Sequence, residues 1–154
     1  MKFSQLNIDK RILGALSEMG FVDMTDIQEK SLPPALEGKD VIAQAMTGSG
    51  KTAAFGVPIA QNIVHKKGVQ SLVLTPTREL AVQVANEMKK FSKHCMLHVA
   101  TIYGGVGIEP QISEVRHSEI VVGTPGRILD HMQRGTLQLN NVKIFVLDEA
   151  DRML

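Results

Sequence analysis

Apolar residues along the chain follow two alternating rhythms. Short, almost uninterrupted apolar or β-branched runs occur at 41–45 (VIAQA), 71–75 (SLVLT), 98–103 (HVATIY), 119–123 (EIVVG) and 143–148 (KIFVLD). Runs of that length predict strands covered on both faces, as in a parallel sheet. Between them apolar positions recur every three or four residues, predicting helices near 51–65, 77–93, 109–117 and 126–134. Two further helices are predicted ahead of the first strand, near 8–19 and 25–36. The earlier one puts Ile8, Ile12, Leu16 and Met19 on one face and stops at Gly20. Methionines scattered at helical spacing read as core. Strands alternating with helices predict an α/β fold, doubly wound, with a mainly parallel sheet flanked by helices on both faces. No repeat, low-complexity tract or linker interrupts the pattern.

Composition narrows this picture only a little. A chain of 154 residues suffices for one compact domain with a real core. Its 44% hydrophobic and 21% charged content is that of an ordinary soluble globular protein. A net charge of +1 means that any nucleic-acid surface is a local patch, not a global field. Cys95 is the single cysteine, which excludes an internal disulfide and predicts a reducing compartment. The N-terminus MKFSQLNIDK lacks the apolar stretch of a secretory signal, and no run approaches the ~20 residues of a membrane span. A cytoplasmic, membrane-free protein is expected. The five histidines lack the linear spacing of a metal site, with His94 and His98 straddling a helix end and a strand start. Lys89, Lys90 and Lys93 read as charges complementing a helix C-terminus.

Candidate chemistry begins after the first predicted strand, at AMTGSGKTAAFG (45–56). Gly48 and Gly50 allow the backbone to curl so that successive N–H groups point at phosphate oxygens. The helix beginning near Lys51 adds its positive end, and Lys51 adds a full charge for the β- and γ-phosphates. Thr52 offers a hydroxyl to Mg²⁺. Ala45 stands where the strict pattern G-x-x-x-x-G-K-[ST] has its first glycine. A Gly-Ser turn with a solvated lysine is the alternative; the strand–loop–helix context favours a phosphate loop. The last stretch, KIFVLDEADRML (143–154), then makes sense. An apolar strand that empties into Asp148, Glu149 and Asp151 needs water or a cation to offset the clustered charge. Asp148, at a strand end where open α/β sheets bind ligands, fits Mg²⁺ ligation through bound water. Glu149 fits a group that orients or deprotonates a water attacking the γ-phosphate.

AMTGSGKT, PTRELA (76–81), YGG (103–105), TPGR (124–127) and DEAD (148–151) stand in the order and spacing of the DEAD-box ATP-dependent RNA helicases, which this chain resembles from about Phe3 to Leu154. The resemblance implies an N-terminal RecA-like P-loop NTPase domain that uses ATP and Mg²⁺, with Lys51, Asp148 and Glu149 catalytic. That family tolerates alanine at the position of Ala45. The implied nucleotide set is Phe21, Thr25 and Gln28 with Ala45, Met46, Thr47, Gly48, Ser49, Gly50, Lys51 and Thr52. In GFVDMTDIQ (20–28), Gln28 would hydrogen-bond the adenine edge while Phe21 stacks on its face. Thr25-Asp26-Ile27-Gln28 is also a capping box, and both readings stand. Met24 replaces the usual proline before Thr25, and Met46 a usual glutamine. Phe3 stands where the family carries an upstream aromatic.

The same resemblance assigns the sugar–phosphate backbone of RNA to Pro76, Thr77, Arg78, Gly104, Gly105, Thr124, Pro125, Gly126 and Arg127. Thr77 and Thr124 are placed to cap helices whose amides face phosphate, and the arginines bring charge. Only Tyr103 is nearby as an aromatic, so binding indifferent to base sequence is expected. Asp151 is implied in coupling to a second RecA-like domain, which supplies arginine fingers and half of the RNA site and is not in this sequence. Residues 1–36 would form the adenine-reading helices and 37–154 the core from phosphate loop to DEAD, incomplete at the C-terminus. The family's next strand normally lies between the phosphate-loop strand and the DEAD strand. A non-catalytic, nucleotide-gated RNA-binding or assembly module of the same fold is the alternative function. No Asn-Lys-x-Asp segment appears, which disfavours a GTPase.

Overall fold

The structure, a computed structural model, describes residues 1–46 and 48–154. They divide into two compact units, one of Met1–Asn62 with Lys90–Met96 and one of Ile63–Lys89 with Leu97–Leu154. The division thus falls after Asn62, and the phosphate loop belongs with the N-terminal helices.

The first unit holds α1 (Lys10–Glu18), α2 (Asp26–Leu36) and α3 (Lys51–Asn62). Asp9 caps α1 by accepting the Arg11 N–H at 2.8 Å, and Gly20 takes the left-handed φ of +80° that turns the chain out of it. Along α3 almost every residue from Ala53 to Ala60 is buried, so this helix is a core element and not an amphipathic one. Phe3, Phe21 and Phe91 form an aromatic group, with Phe21 centred 6.3 Å from Phe3 and 6.1 Å from Phe91. The Met24 N–H donates to the Met1 carbonyl at 2.8 Å and its side chain is buried. The residue in place of the usual proline therefore supplies a donor that proline lacks.

The second unit is built on a four-stranded parallel sheet: β1 (Ser71–Leu74), β2 (Val99–Ile102), β3 (Ile120–Gly123) and β4 (Ile144–Leu147), in spatial order β2-β3-β1-β4. Its helices are α4 (Arg78–Phe91, of which the last two residues belong to the first unit), α5 (Glu109–Arg116) and α6 (Pro125–Arg134). The chain steps one way across the sheet from β1 to β2 and the other way from β2 through β3 to β4. Right-handed crossovers then put α4 on one face and α5 and α6 on the other. Burial agrees. Leu72, Ala100, Ile102 and Val121 share a core cluster with Val115 of α5 and Ile128 of α6. On α4 the buried stripe Ala81, Val84, Ala85 and Met88 has helical spacing, and strand residues of the opposite parity, Val73 and Val122, are fully buried.

Three expectations fail. Residues 41–45 form no strand: they are mostly exposed, and Ile42 is 102% exposed. A strand exists only through ladder bonds to a neighbour, and the observed sheet contains none for this segment. Nor is β4 covered on both faces, since it leaves Phe145 53% and Leu147 52% exposed. The methionines are also less uniformly core than their spacing implied: Met24 and Met88 are buried, whereas Met46, Met96 and Met132 are exposed. No helix among the described residues is long and apolar enough to cross a membrane.

Packing of α6 generates a direct test. Ile128 is buried in the cluster beneath the sheet, while its neighbour Leu129 stands exposed. Ile128→Ala is expected to cost about 2–4 kcal/mol in urea unfolding and Leu129→Ala less than about 0.5 kcal/mol. Equal costs would contradict the placement of α6.

Candidate functional site

In the first unit the phosphate loop leads directly into α3. Gly48 and Gly50 have φ of +82° and +86°, the left-handed region that a side chain resists. Thr47 lies outside the described residues. The Ser49 N–H donates to the Met46 carbonyl at 3.2 Å, and the Ser49 hydroxyl is buried with no hydrogen-bond partner among the described residues. Lys51 opens the helix. A curled loop, a helix N-terminus and an orphaned hydroxyl form a site that fits a phosphate group.

Gln28 braces that loop. Its side-chain oxygen accepts the Thr25 N–H at 2.9 Å, closing the capping box of α2. Its side-chain N–H donates to the Gly50 carbonyl at 3.1 Å. A Cβ built on Gly50 would meet the Gln28 amide nitrogen at 2.4 Å, so glycine is required here by space as well as by φ. Gln28 is only 3% exposed, and these bonds leave one N–H and one acceptor lone pair of its amide. The cap is real; it does not exhaust the amide.

In the second unit the remaining candidates follow the C-terminal ends of the strands. The ladder continues one residue past each pair: Thr75 N–H donates to the Gly123 carbonyl at 2.9 Å, Thr124 to Ile102 at 3.0 Å and Asp148 to Leu74 at 2.9 Å. Tyr103, Thr124, Thr75 and Asp148 therefore stand side by side along an edge of about 15 Å at ordinary strand spacing. Thr77 accepts the Leu80 N–H at 3.2 Å in the first turn of α4. Thr124 holds the N-cap position of α6, followed by Pro125, but its hydroxyl makes no capping bond. Arg78 lies over the Tyr103 ring, 4.5 Å from its centroid. Gly104, Gly105 and Gly126 are exposed, with open space where a Cβ would sit. Beyond Asp148, Glu149 adopts a left-handed φ of 55°, and a 3₁₀ turn over Ala150–Met153 follows, with Asp151 exposed. That conformation is uncommon for a residue with a Cβ and costs on the order of 1 kcal/mol.

Arg127 is placed differently from Arg78. Its side chain is 14% exposed and its donors are engaged within the protein. Nη1 donates to the Gln111 side-chain oxygen at 3.1 Å and Nη2 to the Val106 carbonyl at 2.9 Å, with Nε 3.8 Å from Asp130. Gln111, in turn, donates to the Tyr103 carbonyl at 2.9 Å. The fully buried His131 completes the network, with Nε2 3.2 Å from the same Gln111 oxygen and Nδ1 2.8 Å from the Thr136 hydroxyl. Because the Gln111 oxygen only accepts, Nε2 carries the proton, and the Thr136 hydroxyl lies beside Nδ1 while also reaching the His131 carbonyl at 3.1 Å. Burial, reinforced by the Arg127 charge, holds the His131 pKa below the usual value of 6.5.

The DEAD/DEAH box helicase family profile matches residues 25–154. The chain belongs to the DEAD/DEAH box helicase family. It is 51% identical over 154 residues to the DEAD-box ATP-dependent RNA helicase CshA of Bacillus cereus, covering 99% of this chain and 29% of that protein. It is 52% identical over 155 residues to the ATP-dependent RNA helicase CshA of Listeria monocytogenes, covering 99% of this chain and 30% of that one. The crystal structure of a DEAD box protein from the hyperthermophile Methanococcus jannaschii superposes with a TM-score of 0.96 at 51% identity, covering 99% of this chain and 42% of the other. The hypothetical ATP-dependent RNA helicase of Sulfolobus tokodaii gives a TM-score of 0.87 at 44% identity, covering 95% and 43%. The chain thus spans less than half the length of each of these relatives.

Within this DEAD/DEAH box helicase chain, Gln28, Ser49 and Gly50 come together in the first unit, and the Thr77, Tyr103, Thr124 and Asp148 segments line one sheet edge in the second. The sequence did not single out Gln111, His131 or Thr136. The available signal was a polar residue within a buried helical stripe: His131 lies three positions after Ile128, and Gln111 four before Val115.

The network makes stability depend on pH. His131 binds a proton more weakly in the folded state, so its contribution is complete above about pH 6.5 and is lost as pH falls through the folded pKa. Wild type is expected to lose more urea stability between pH 7 and pH 5 than His131→Gln. Identical losses in the two proteins would show that His131 does not titrate this way.

Proposed function

We propose that this chain is the ATP-binding part of an ATP-dependent RNA helicase whose complete form hydrolyses ATP with Mg²⁺ and remodels RNA duplexes through backbone contacts. The observation that carries the proposal is the loop Gly48–Lys51, with left-handed glycines, an orphaned buried hydroxyl and a helix N-terminus, in a member of this family. Lys51 meets the β- and γ-phosphates, and Thr52 is the hydroxyl for the metal. Gln28 uses its remaining N–H and lone pair on the adenine edge, and Phe21 is the ring beside the base. Mg²⁺, when bound, supplies charge neutralisation at the phosphates. Asp148 would hold that metal through water, and Glu149 would orient the attacking water.

RNA is held at the strand ends through Arg78, the first-turn amides of α6 and the exposed glycines 104, 105 and 126. The guanidinium of Arg127, engaged within the protein, positions the Gly104–Gly107 loop through Val106 and Gln111. Such contacts carry no base information, so sequence-independent binding follows. A second RecA-like domain of the complete protein supplies the other half of the RNA site, and Asp151 couples to it. A reducing, cytoplasmic setting suits Cys95, a buried thiol whose pKa burial pushes up.

Nucleotide titration tests this reading on the protein as it stands. Lys51→Ala is expected to weaken Mg²⁺-dependent ADP or ATP binding by roughly 1.5–3 kcal/mol, the cost of a lost charge-assisted contact. Gln28→Ala is expected to erase a preference for ATP over GTP, besides losing about 1 kcal/mol of stability with the capping box. Unchanged affinity in Lys51→Ala would overturn the phosphate role. Unchanged base preference in a destabilised Gln28→Ala would leave Gln28 as a cap alone.

A further inference from the structure

We infer that His65, His98 and Glu119 form a binding site for a borderline divalent metal such as Zn²⁺ at the N-terminal edge of the sheet. The linear spacing of the histidines gave no sign of it, but the fold gathers three ligand-bearing residues from three segments. His65 lies in the turn after α3, His98 immediately precedes β2, and Glu119 immediately precedes β3. One donor atom from each lies within 4.8 Å of the others. The imidazoles are neighbours, with ring centroids 6.1 Å apart.

Three further observations point to a cation. The Glu119 side chain is 5% exposed, and the one charged partner it has among the described residues is the His98 imidazole, 3.5 Å away. A carboxylate that deep needs positive charge, and an imidazole supplies it only when protonated. The His65 Nδ1 is buried with no hydrogen-bond partner among the described residues. His98 is 63% exposed, which gives an ion a path in from solvent.

The backbones that carry these groups are fixed. The Glu119 carbonyl accepts from Gln70 N–H at 2.8 Å, while Glu119 N–H donates to the His98 carbonyl at 3.1 Å. The Glu119 carboxylate also accepts the His98 backbone N–H at 2.8 Å. Buried Gln70 clasps Val64, next to His65, through both its N–H and its carbonyl. Metal–ligand bonds of about 2.0–2.2 Å put tetrahedral ligand atoms about 3.4 Å apart, so the exposed His98 ring closes by roughly an ångström. Two imidazoles and one carboxylate suit Zn²⁺ and its transition-metal neighbours, not Mg²⁺, which prefers oxygen and waters. Parallel strands put this edge at the end opposite the Asp148 edge, so the role is that of a staple across the starts of β2 and β3.

Zn²⁺ titration of the 154-residue protein against a competing chromogenic chelator, with excess Mg²⁺ present, tests the site; Co²⁺ is the spectroscopic probe. One saturable equivalent is expected, with the intense visible bands of tetrahedral Co²⁺. His98→Ala and Glu119→Gln should each weaken it at least tenfold. His98 is on the surface, and glutamine keeps the acceptor for the His98 N–H, so both variants should fold. His94→Ala, beside Glu18 elsewhere on the chain, should change nothing. No saturable binding, equal affinity in His98→Ala, or loss in His94→Ala would each overturn the assignment.

Discussion

The parallel ladder of β1 with β3 and β4 is the constraint on which the second unit depends. Each strand has only four residues, yet the bonds run one residue further, to Thr75, Thr124 and Asp148. Those amides are the points at which the loops leave the sheet. The segments proposed to act at this edge therefore begin with a residue held by main-chain bonds. The left-handed turn at Glu149 and the helix start holding Gly126 each follow a residue fixed in this way, Asp148 and Thr124.

A comparable economy operates in the first unit, where one amide performs two tasks. Gln28 closes the start of α2 and holds the last glycine of the phosphate loop, so the helix cap and the loop are set together. The absence of a Cβ at Gly50 is what lets the amide approach. Polar side chains do the same work in the second unit: Gln111 joins Tyr103, Arg127 and His131, and Gln70 ties the chain around Val64. A buried amide with both ends bonded fixes two segments at once, and truncating it strands both.

Much of this was legible in the sequence because local pattern and tertiary role agree. Four apolar runs are strands and six periodic stretches are helices, since burial on both faces or on one face leaves those signatures. The run 41–45 misled, because a strand is a property of a pair and this segment has no neighbour in the sheet. Thr25 and Gln28 were readable as a capping box, but the bond from Gln28 to Gly50 spans 22 residues and no local rule encodes it. Arg127 looked like Arg78, an arginine at a helix start, and only packing shows that it faces Gln111 and Val106 while Arg78 covers Tyr103. His65, His98 and Glu119 stayed hidden for the same reason: their proximity is made by strand order, not by spacing.

The claim that a continued ladder holds the functional edge is open to one direct measurement, native-state hydrogen exchange resolved by residue. The amides of Thr75, Thr124 and Asp148 should be protected to within about tenfold of Val73 and Val122 inside the strands, while Gly104, Gly105 and Gly126 exchange far faster. If Thr75, Thr124 and Asp148 exchanged at the rates of those glycines, the edge would not be a fixed frame and the account would fail at its foundation.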